Sequence, residues 1–285
     1  MNILIAGAGG ALGKALVNHY LEQGDAVSAL VLKAAEMEGI AHPRLKVVTA
    51  NVTRPESLCG VCDGHVQVIS CIGITRLKGN MTHEAVDFKG NLNLLREAER
   101  AGVRKFGFIS PAGTDIGYPH VPLLAAKFRF EQALRQSAIK WVIFRSGGFF
   151  TDLAEMMKLA AKGPLFVIGD GASRSTPIDV TDLATLMADG MHTQSNAVVE
   201  VGGPEHLSWL DICRTCFELQ GKPAKIMRAP VWLCRATLAM LRPFSFRHYA
   251  MGQLLVFMST HDVCTPPRGK TLLQQFLCGI QTPGL

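Results

Sequence analysis

Apolar and polar positions follow two periods along the first 145 residues. Short apolar or β-rich runs recur at Ile3–Ala6, Val27–Leu32, Lys46–Thr49, Val66–Cys71, Lys105–Ile109 and Trp141–Phe144. Between them apolar residues return at helical spacing. Leu12, Leu16, Tyr20 and Leu21 follow the first run, and helical patterns cover Asp87–Ala101 and Leu123–Gln136, with Gly24 and Gly102 placed as helix stops. A helix with one buried face repeats its apolar residues every three to four positions, whereas a strand covered on both faces is apolar throughout. The alternation predicts an α/β chain, a doubly wound parallel sheet with helices on both faces.

Beyond that point the rhythm loosens. Thr151–Ala161 reads as a helix, Phe166–Gly171 as a turn, Thr181–Met191 as a helix and Ala197–Val201 as a strand ending in Gly202-Gly203-Pro204. Ser208 is placed to cap a further helix through about Leu219. The expected division is a sheet domain over 1–202, with 148–175 bordering its cleft, and a smaller, mainly helical lobe over 203–285.

Composition adds three points. Of the 285 residues 48% are hydrophobic and only 18% charged, which excludes a charge-solvated disordered chain and leaves a large core. The apolar start lacks the basic lead of a secretion signal, and the uncharged stretches His248–His261 and Thr271–Leu285 are too short to span a bilayer. A soluble, cytoplasmic protein is expected. The charge is uneven: no acid lies between Glu218 and Asp262, and the six bases there, Lys222, Lys225, Arg228, Arg235, Arg242 and Arg247, equal the whole net charge of +6. Arg228, Arg235 and Arg242 recur every seven residues beside Trp232, Leu233, Ala236 and Met240, between Pro230 and Pro243. This reads either as a lobe helix with a solvated basic edge or as a weak membrane-surface or anionic contact through 219–261. Nucleic acid is not expected, because aromatics are few and no reading motif is present. The CxxC pairs Cys59/Cys62 and Cys213/Cys216 are far apart, and reduced, mostly buried thiols are expected rather than a metal site. His83 and His120 read as surface or capping groups, and Asp179 and Asp182 as helix-start residues.

The strongest chemical signal is Gly7-Ala8-Gly9-Gly10-Ala11-Leu12-Gly13, placed between the first strand and the first helix. Glycines at 7, 10 and 13 allow a tight turn that aims helix N–H groups at a pyrophosphate without side-chain obstruction. A nucleotide-hydrolysing phosphate loop would need Gly at position 8 and Ser or Thr at position 15, where this chain has Ala8 and Ala15. The second strand ends in Val31-Leu32-Lys33, with no acid before Glu36 to meet ribose hydroxyls. Lys33 in that place favours the 2′-phosphate of NADP, with NAD still open.

With these residues the chain resembles the atypical short-chain dehydrogenase/reductases of the NmrA-like kind. The resemblance rests on Gly7–Gly13, Asn51-Val52-Thr53, Val68–Gly73, Val86–Asn91, Phe108-Ile109-Ser110, Lys127, Arg145–Phe150 and Val201–Pro204. The pattern is also similar to that of the NADPH-binding accessory subunit of respiratory NADH dehydrogenase. The resemblance implies a Rossmann fold and NADP or NAD as cofactor. It implies pyrophosphate binding by Gly7, Gly9, Gly10, Ala11, Leu12 and Gly13, and an adenine contact from Asn51. Cys71, Ile72 and Gly73 would contribute backbone contacts, Lys127 would bind the nicotinamide ribose, and Gly147 and Phe149 would flank the nicotinamide.

Reductases of this type pair Ser, Tyr and Lys, with Tyr giving a proton to the carbonyl oxygen. Ser110 and Lys127 keep the family's spacing, but the Tyr slot holds Leu123, which has no proton to give. Tyr118 and Tyr249 are the substitutes to consider, or Lys127 itself if burial lowers its pKa. The resemblance leaves two functions: an NAD(P)-dependent oxidoreductase acting on a small, largely apolar carbonyl or enone, or a non-catalytic NAD(P)-binding redox sensor or assembly subunit.

Overall fold

In the computed structural model the described residues are 1–281 apart from 75, 76, 78 and 80. The last residues of the uncharged Thr271–Leu285 stretch therefore lie outside them. The chain opens with β1 (Asn2–Ala6), α1 (Ala11–Glu22), β2 (Ala26–Val31), β3 (Leu45–Thr49) and β4 (Gln67–Ser70). A π-helical run over Glu84–Gly90 continues into α2 (Asn91–Arg100), so this helix starts earlier than its apolar spacing indicated. β5 (Lys105–Pro111), α3 (Thr114–Gly117), α4 (Pro122–Arg135) and β6 (Lys140–Ser146) follow. The remainder is α5 (Phe150–Lys162), β7 (Leu165–Ile168), β8 (Arg174–Ser175), α6 (Val180–Thr193), β9 (Ala197–Val201), β10 (Leu207–Ser208), α7 (Trp209–Glu218), β11 (Ile226–Ala229), α8 (Val231–Leu241), α9 (Phe246–Thr260) and α10 (Leu273–Gln281).

Seven strands form one sheet in the order β3-β2-β1-β4-β5-β6-β9, and every neighbouring pair is parallel. Successive side chains on a strand point to opposite faces. Ile3 and Ile5 of β1 accordingly join the core under α1 and α6, with Leu16, Tyr20, Leu183 and Met187. Leu4 and Ala6 join the core under α2 and α4, with Leu94, Phe106, Phe108 and Phe130. The order of connection reverses between β1 and β4. Loops that leave adjacent strands toward opposite faces open a crevice at the carboxyl ends, where ligands bind in sheets of this kind.

The lobe draws its core from both sides of residue 203. Phe150, Leu153 and Val167 pack with Ile212, Phe217 and Leu277. Two sequence expectations are corrected here. The turn expected over Phe166–Gly171 begins only at Gly169, because Leu165–Ile168 is a strand: it pairs in parallel with Ile226–Ala229, burying Leu165 and Val167 and exposing Phe166. Four residues were too few for that alternation to stand out. Arg228 lies on the same two-stranded sheet and not on α8, so the seven-residue recurrence of arginine is not a helical stripe. Asp179 does cap α6, accepting from Thr181 N–H at 2.8 Å, while Asp182 accepts from Lys270 and Thr271 N–H and ties the C-terminal segment to the sheet domain.

Candidate active site

The glycine loop sits at the carboxyl end of β1. Gly7 has φ +77°, and a Cβ there would stand 2.9 Å from the Cys71 backbone. A Cβ on Gly13 would come within 2.3 Å of Gly7 O and 2.6 Å of Ala8 Cα, so the loop closes on α1 only with glycine. Leu12 and Gly13 are buried, whereas Gly10 and Ala11 face solvent. Gly10 is the N-cap of α1 and no side chain caps that terminus. The first N–H groups of a helix have no partner within it. An uncapped N-terminus beside a loop that only glycine fits suits an anionic pyrophosphate, so the residues present accommodate a dinucleotide.

The other sequence-selected residues divide between the crevice rim and its floor. Lys33 is exposed ahead of a single helical turn over Ala34–Met37. That turn brings Glu36 back over the loop: a Cβ on Gly9 would lie 2.2 Å from Glu36 Oε2. Sequence spacing alone had passed over Glu36 because it stands beyond the strand end. Asn51 is half-buried after β3, and its Oδ1 accepts from Thr53 N–H at 3.0 Å and from the Thr53 hydroxyl at 2.8 Å. The oxygen thus holds the turn, and the amide N–H is the group left to face an adenine. Cys71 donates its N–H to Ala6 O at 2.8 Å, and burial pushes its thiol up to about 12, so it stays protonated. Gly147 packs against Thr176 O, where a Cβ would come within 2.2 Å, and Phe149 is the N-cap of α5, paired with Ile178.

Lys127 lies at the floor, brought by α4 under the ends of β4 and β5. Its ammonium donates to Ile72 O at 2.8 Å and to Ile109 O at 3.3 Å, and stands over the Phe108 ring at 4.7 Å. Asp87 Oδ1 is 3.6 Å away. Burial lowers the Lys127 pKa below the ordinary 10.5, against the opposing pull of Asp87 and of Cys71. Ser110 is buried on β5, one residue past Ile109, with its hydroxyl 3.2 Å from that of Thr114. Gly73 completes the cluster, for a Cβ there would lie 2.9 Å from Lys127 Nζ and 3.0 Å from Asp87 Oδ1.

Asp87 and His83 are candidate site residues that sequence reasoning passed over. His83 does hold the N-cap position of the π-helical run, without a side-chain cap, but it is 3% exposed rather than at the surface, and its Nδ1 is 3.1 Å from Asp87 Oδ2. Asp87 is fully buried, and its Oδ1 has no hydrogen-bond partner. His83, Asp87 and Lys127 therefore form a buried file of titratable groups that ends beside Gly73. The i, i+4 spacing of His83 and Asp87 was the available signal. Asn91 secures the file from below: it takes a hydrogen bond from Ser70 Oγ at 2.5 Å and donates to Asp87 O at 2.8 Å.

No tyrosine joins this file among the described residues. Leu123 is buried in the slot one turn before Lys127. Tyr118 stacks on Phe128 at 4.1 Å and lines a recess with Phe88, Ala125 and Gln132, on the face of α4 turned away from Lys127. Tyr249 lies on α9 beneath the Arg242 guanidinium, and Tyr20 is core in α1.

Comparison with known proteins matches the same segment. A family model described as NAD(P)H-binding matches residues 7–193. The photosystem II assembly factor Ycf39 of Synechocystis is 27% identical over 259 residues, covering 89% of this chain and 78% of that protein. The chloroplastic divinyl chlorophyllide a 8-vinyl-reductase of Zea mays is 25% identical over 322 residues, covering 99% of this chain and 80% of that protein. The structure of NADPH-dependent quinone oxidoreductase QOR2 from Escherichia coli with NADPH superposes with a TM-score of 0.74 at 18% identity, covering 98% of this chain and 100% of that one. A nucleoside-diphosphate-sugar epimerase from Staphylococcus aureus gives a TM-score of 0.76 at 16% identity, over 97% of this chain and 99% of that one. The two structural likenesses establish the fold.

Proposed function

The chain belongs to the NAD(P)H-binding family of atypical short-chain dehydrogenase/reductases, and from that premise we propose that it reduces a small, largely apolar carbonyl or enone with NAD(P)H. The observation that carries this reading is the buried His83–Asp87–Lys127 file at the strand ends. A desolvated ammonium beside a buried carboxylate, with its pKa lowered by burial, is an arrangement that gathers where protons are transferred.

When bound, the reduced nicotinamide supplies a hydride to the electrophilic carbon. Gly7 to Gly13 would hold the pyrophosphate, and Lys127 would meet the nicotinamide ribose. In place of the absent tyrosine, Lys127 Nζ gives a proton to the substrate oxygen or enolate as negative charge develops there. Asp87 stabilises the ammonium before transfer, and His83 Nδ1, held on the other carboxylate oxygen, orients that group. Purified protein that consumes NADPH or NADH on a panel of small quinones and enones would support this function. Cofactor binding with no consumption on any member would reject it.

A second reading, a non-catalytic cofactor-binding assembly or regulatory subunit, is favoured by Leu123 in the proton-donor slot. The chain's relatives carry names of both kinds, a reductase and an assembly factor.

Support for the cofactor's identity is divided between two residues. Lys33 would attract a 2′-phosphate, whereas the Glu36 carboxylate beside Gly9 would repel one and accept from free ribose hydroxyls. Glu36→Gln is expected to raise affinity for NADPH relative to NADH by about tenfold, the order of one relieved like-charge contact. Titration of nicotinamide fluorescence with each cofactor reads that ratio, and an unchanged ratio would remove Glu36 from the ribose site.

A further inference from the structure

We propose that the outward face of α8, together with its connection to α9, docks on an anionic lipid bilayer. α8 turns Leu238 into the lobe, with Val231, Cys234 and Leu241 half-buried on the same side. Residues advance about 100° per position on a helix, so the opposite side carries Trp232, Leu233, Ala236, Ala239 and Met240. Trp232 is 70% exposed and Met240 74%, and Phe244 in the connection that follows is 87% exposed. A helix apolar on all sides is ordinarily enclosed by protein. Here the described residues cover one side only. The helix is nonetheless firmly seated, because a Cβ on Gly252 of α9 would lie 2.2 Å from Leu238 Cδ2, so the two helices close without room to roll.

Charge identifies the occupant. Arg235 flanks the apolar side of α8, Arg242 and Arg247 bracket Phe244, and Lys222, Lys225 and Arg228 stand just ahead of α8, all six exposed. No carboxylate lies anywhere from 219 to 261 to offset them. On the two-stranded sheet whose second strand leads into α8, Phe166 and Met227 are register partners and both exposed, adding further apolar surface. Aromatic rings and a methionine on a protruding helix, with guanidinium groups at their margin, match the headgroup boundary of a bilayer. There the rings enter the acyl edge while the arginines meet lipid phosphates. No helix among the described residues is long and apolar enough to cross a membrane, so the contact is peripheral. It also adjoins the chemistry. Phe246 at the start of α9 lines a recess of about 290 Å³ with Thr82, His83 and Pro122, so an apolar substrate partitioned in lipid would meet the protein beside His83.

The test is co-sedimentation of the full chain with vesicles of phosphatidylcholine alone and of phosphatidylcholine mixed with phosphatidylglycerol. Binding is expected to the mixed vesicles only and to fall as salt is raised. Arg235→Glu with Arg242→Glu is expected to weaken it by more than tenfold, at about fivefold for each basic group near the surface. Trp232→Ser with Phe244→Ser is expected to abolish it. An unchanged cofactor titration shows that each variant is folded, and quenching of wild-type tryptophan emission by brominated phosphatidylglycerol gives a readout without any substitution. The proposal is overturned if mixed vesicles are not bound at low salt, if the arginine double variant binds within tenfold of wild type, or if the Trp232 and Phe244 double variant still binds. It is equally overturned if the chain forms a dimer that Trp232→Ser with Phe244→Ser separates, which would assign this face to a second copy.

Discussion

Lys127→Met is expected to lower kcat/KM for carbonyl reduction by about 10³-fold, the usual contribution of a positioned acid. Methionine keeps the apolar stem over Phe108 and removes the only cation that faces Asp87 Oδ1 in the file. Cofactor affinity is expected to fall far less, because the glycine loop still holds the pyrophosphate. The pH profile separates this role from simple ribose binding. Burial holds the Lys127 pKa below 10.5, with Asp87, Cys71 and Glu131 pulling upward. The acid must be protonated to act, so wild-type kcat/KM should decline as pH rises through that lowered value, and Lys127→Arg should lose this alkaline limb because its guanidinium stays charged. The sign for stability is opposite. Between the folded-state value and the unfolded value of about 10.5 the native chain binds fewer protons than the unfolded one, so this group makes stability increase with pH across that window. A pH profile identical in wild type and Lys127→Arg would remove Lys127 as the acid.

The largest expected loss of stability comes from Glu131→Gln. Glu131 is fully buried on α4 and accepts from Arg145 Nη2 at 2.8 Å and from Arg145 Nε at 3.3 Å. Arg145 is nearly as buried on β6, and its Nη1 reaches Asp115 of α3 at 2.7 Å. Three elements around the floor of the candidate site are thus tied by one guanidinium. Removing the buried carboxylate leaves that cation half-compensated, a change that costs about 3–5 kcal/mol. Urea unfolding should show the midpoint moving down with little change in slope. Arg145→Met with Glu131→Leu should recover most of the loss, since the charges that lose a partner, Asp115 and Arg135, both reach solvent. If the single variant unfolds at the wild-type midpoint, the ion pair does not hold α4 to the sheet.

The sheet was legible because its central strands are buried on both faces and the helices over them on one, so apolar runs such as Ile3–Ala6 and the Leu12–Leu16–Tyr20 spacing carry the signal directly. The glycine loop was legible because its glycine spacing stands between the first strand and the first helix: Gly13 is required by contacts with Gly7 and Ala8, although Gly7 is also required by the distant Cys71 backbone. Lys127 and Ser110 were picked out by the family's spacing, and the structure brings the Lys127 ammonium from α4 to Ile109 O, the residue before Ser110 on β5. The rest depended on contacts between distant segments. His83 reads as an ordinary polar residue until the π-helical run turns it inward onto Asp87. Glu36 stands past the position where an acid is sought, and only the helical turn after β2 returns it to Gly9. Arg228 matched a seven-residue recurrence by coincidence, because a four-residue parallel pairing with Leu165–Ile168 has almost no local signature.

Isotope transfer separates a reductase from a protein that only holds the dinucleotide. Purified protein is mixed with NADPH or NADH deuterated at the transferring position and with a small apolar quinone or enone, and the product is examined for deuterium. The account predicts saturable cofactor oxidation with deuterium delivered to the product carbon, lost in Lys127→Met while cofactor binding remains. Tight cofactor binding without deuterium in any product would contradict it and leave a protein that holds the dinucleotide without using it.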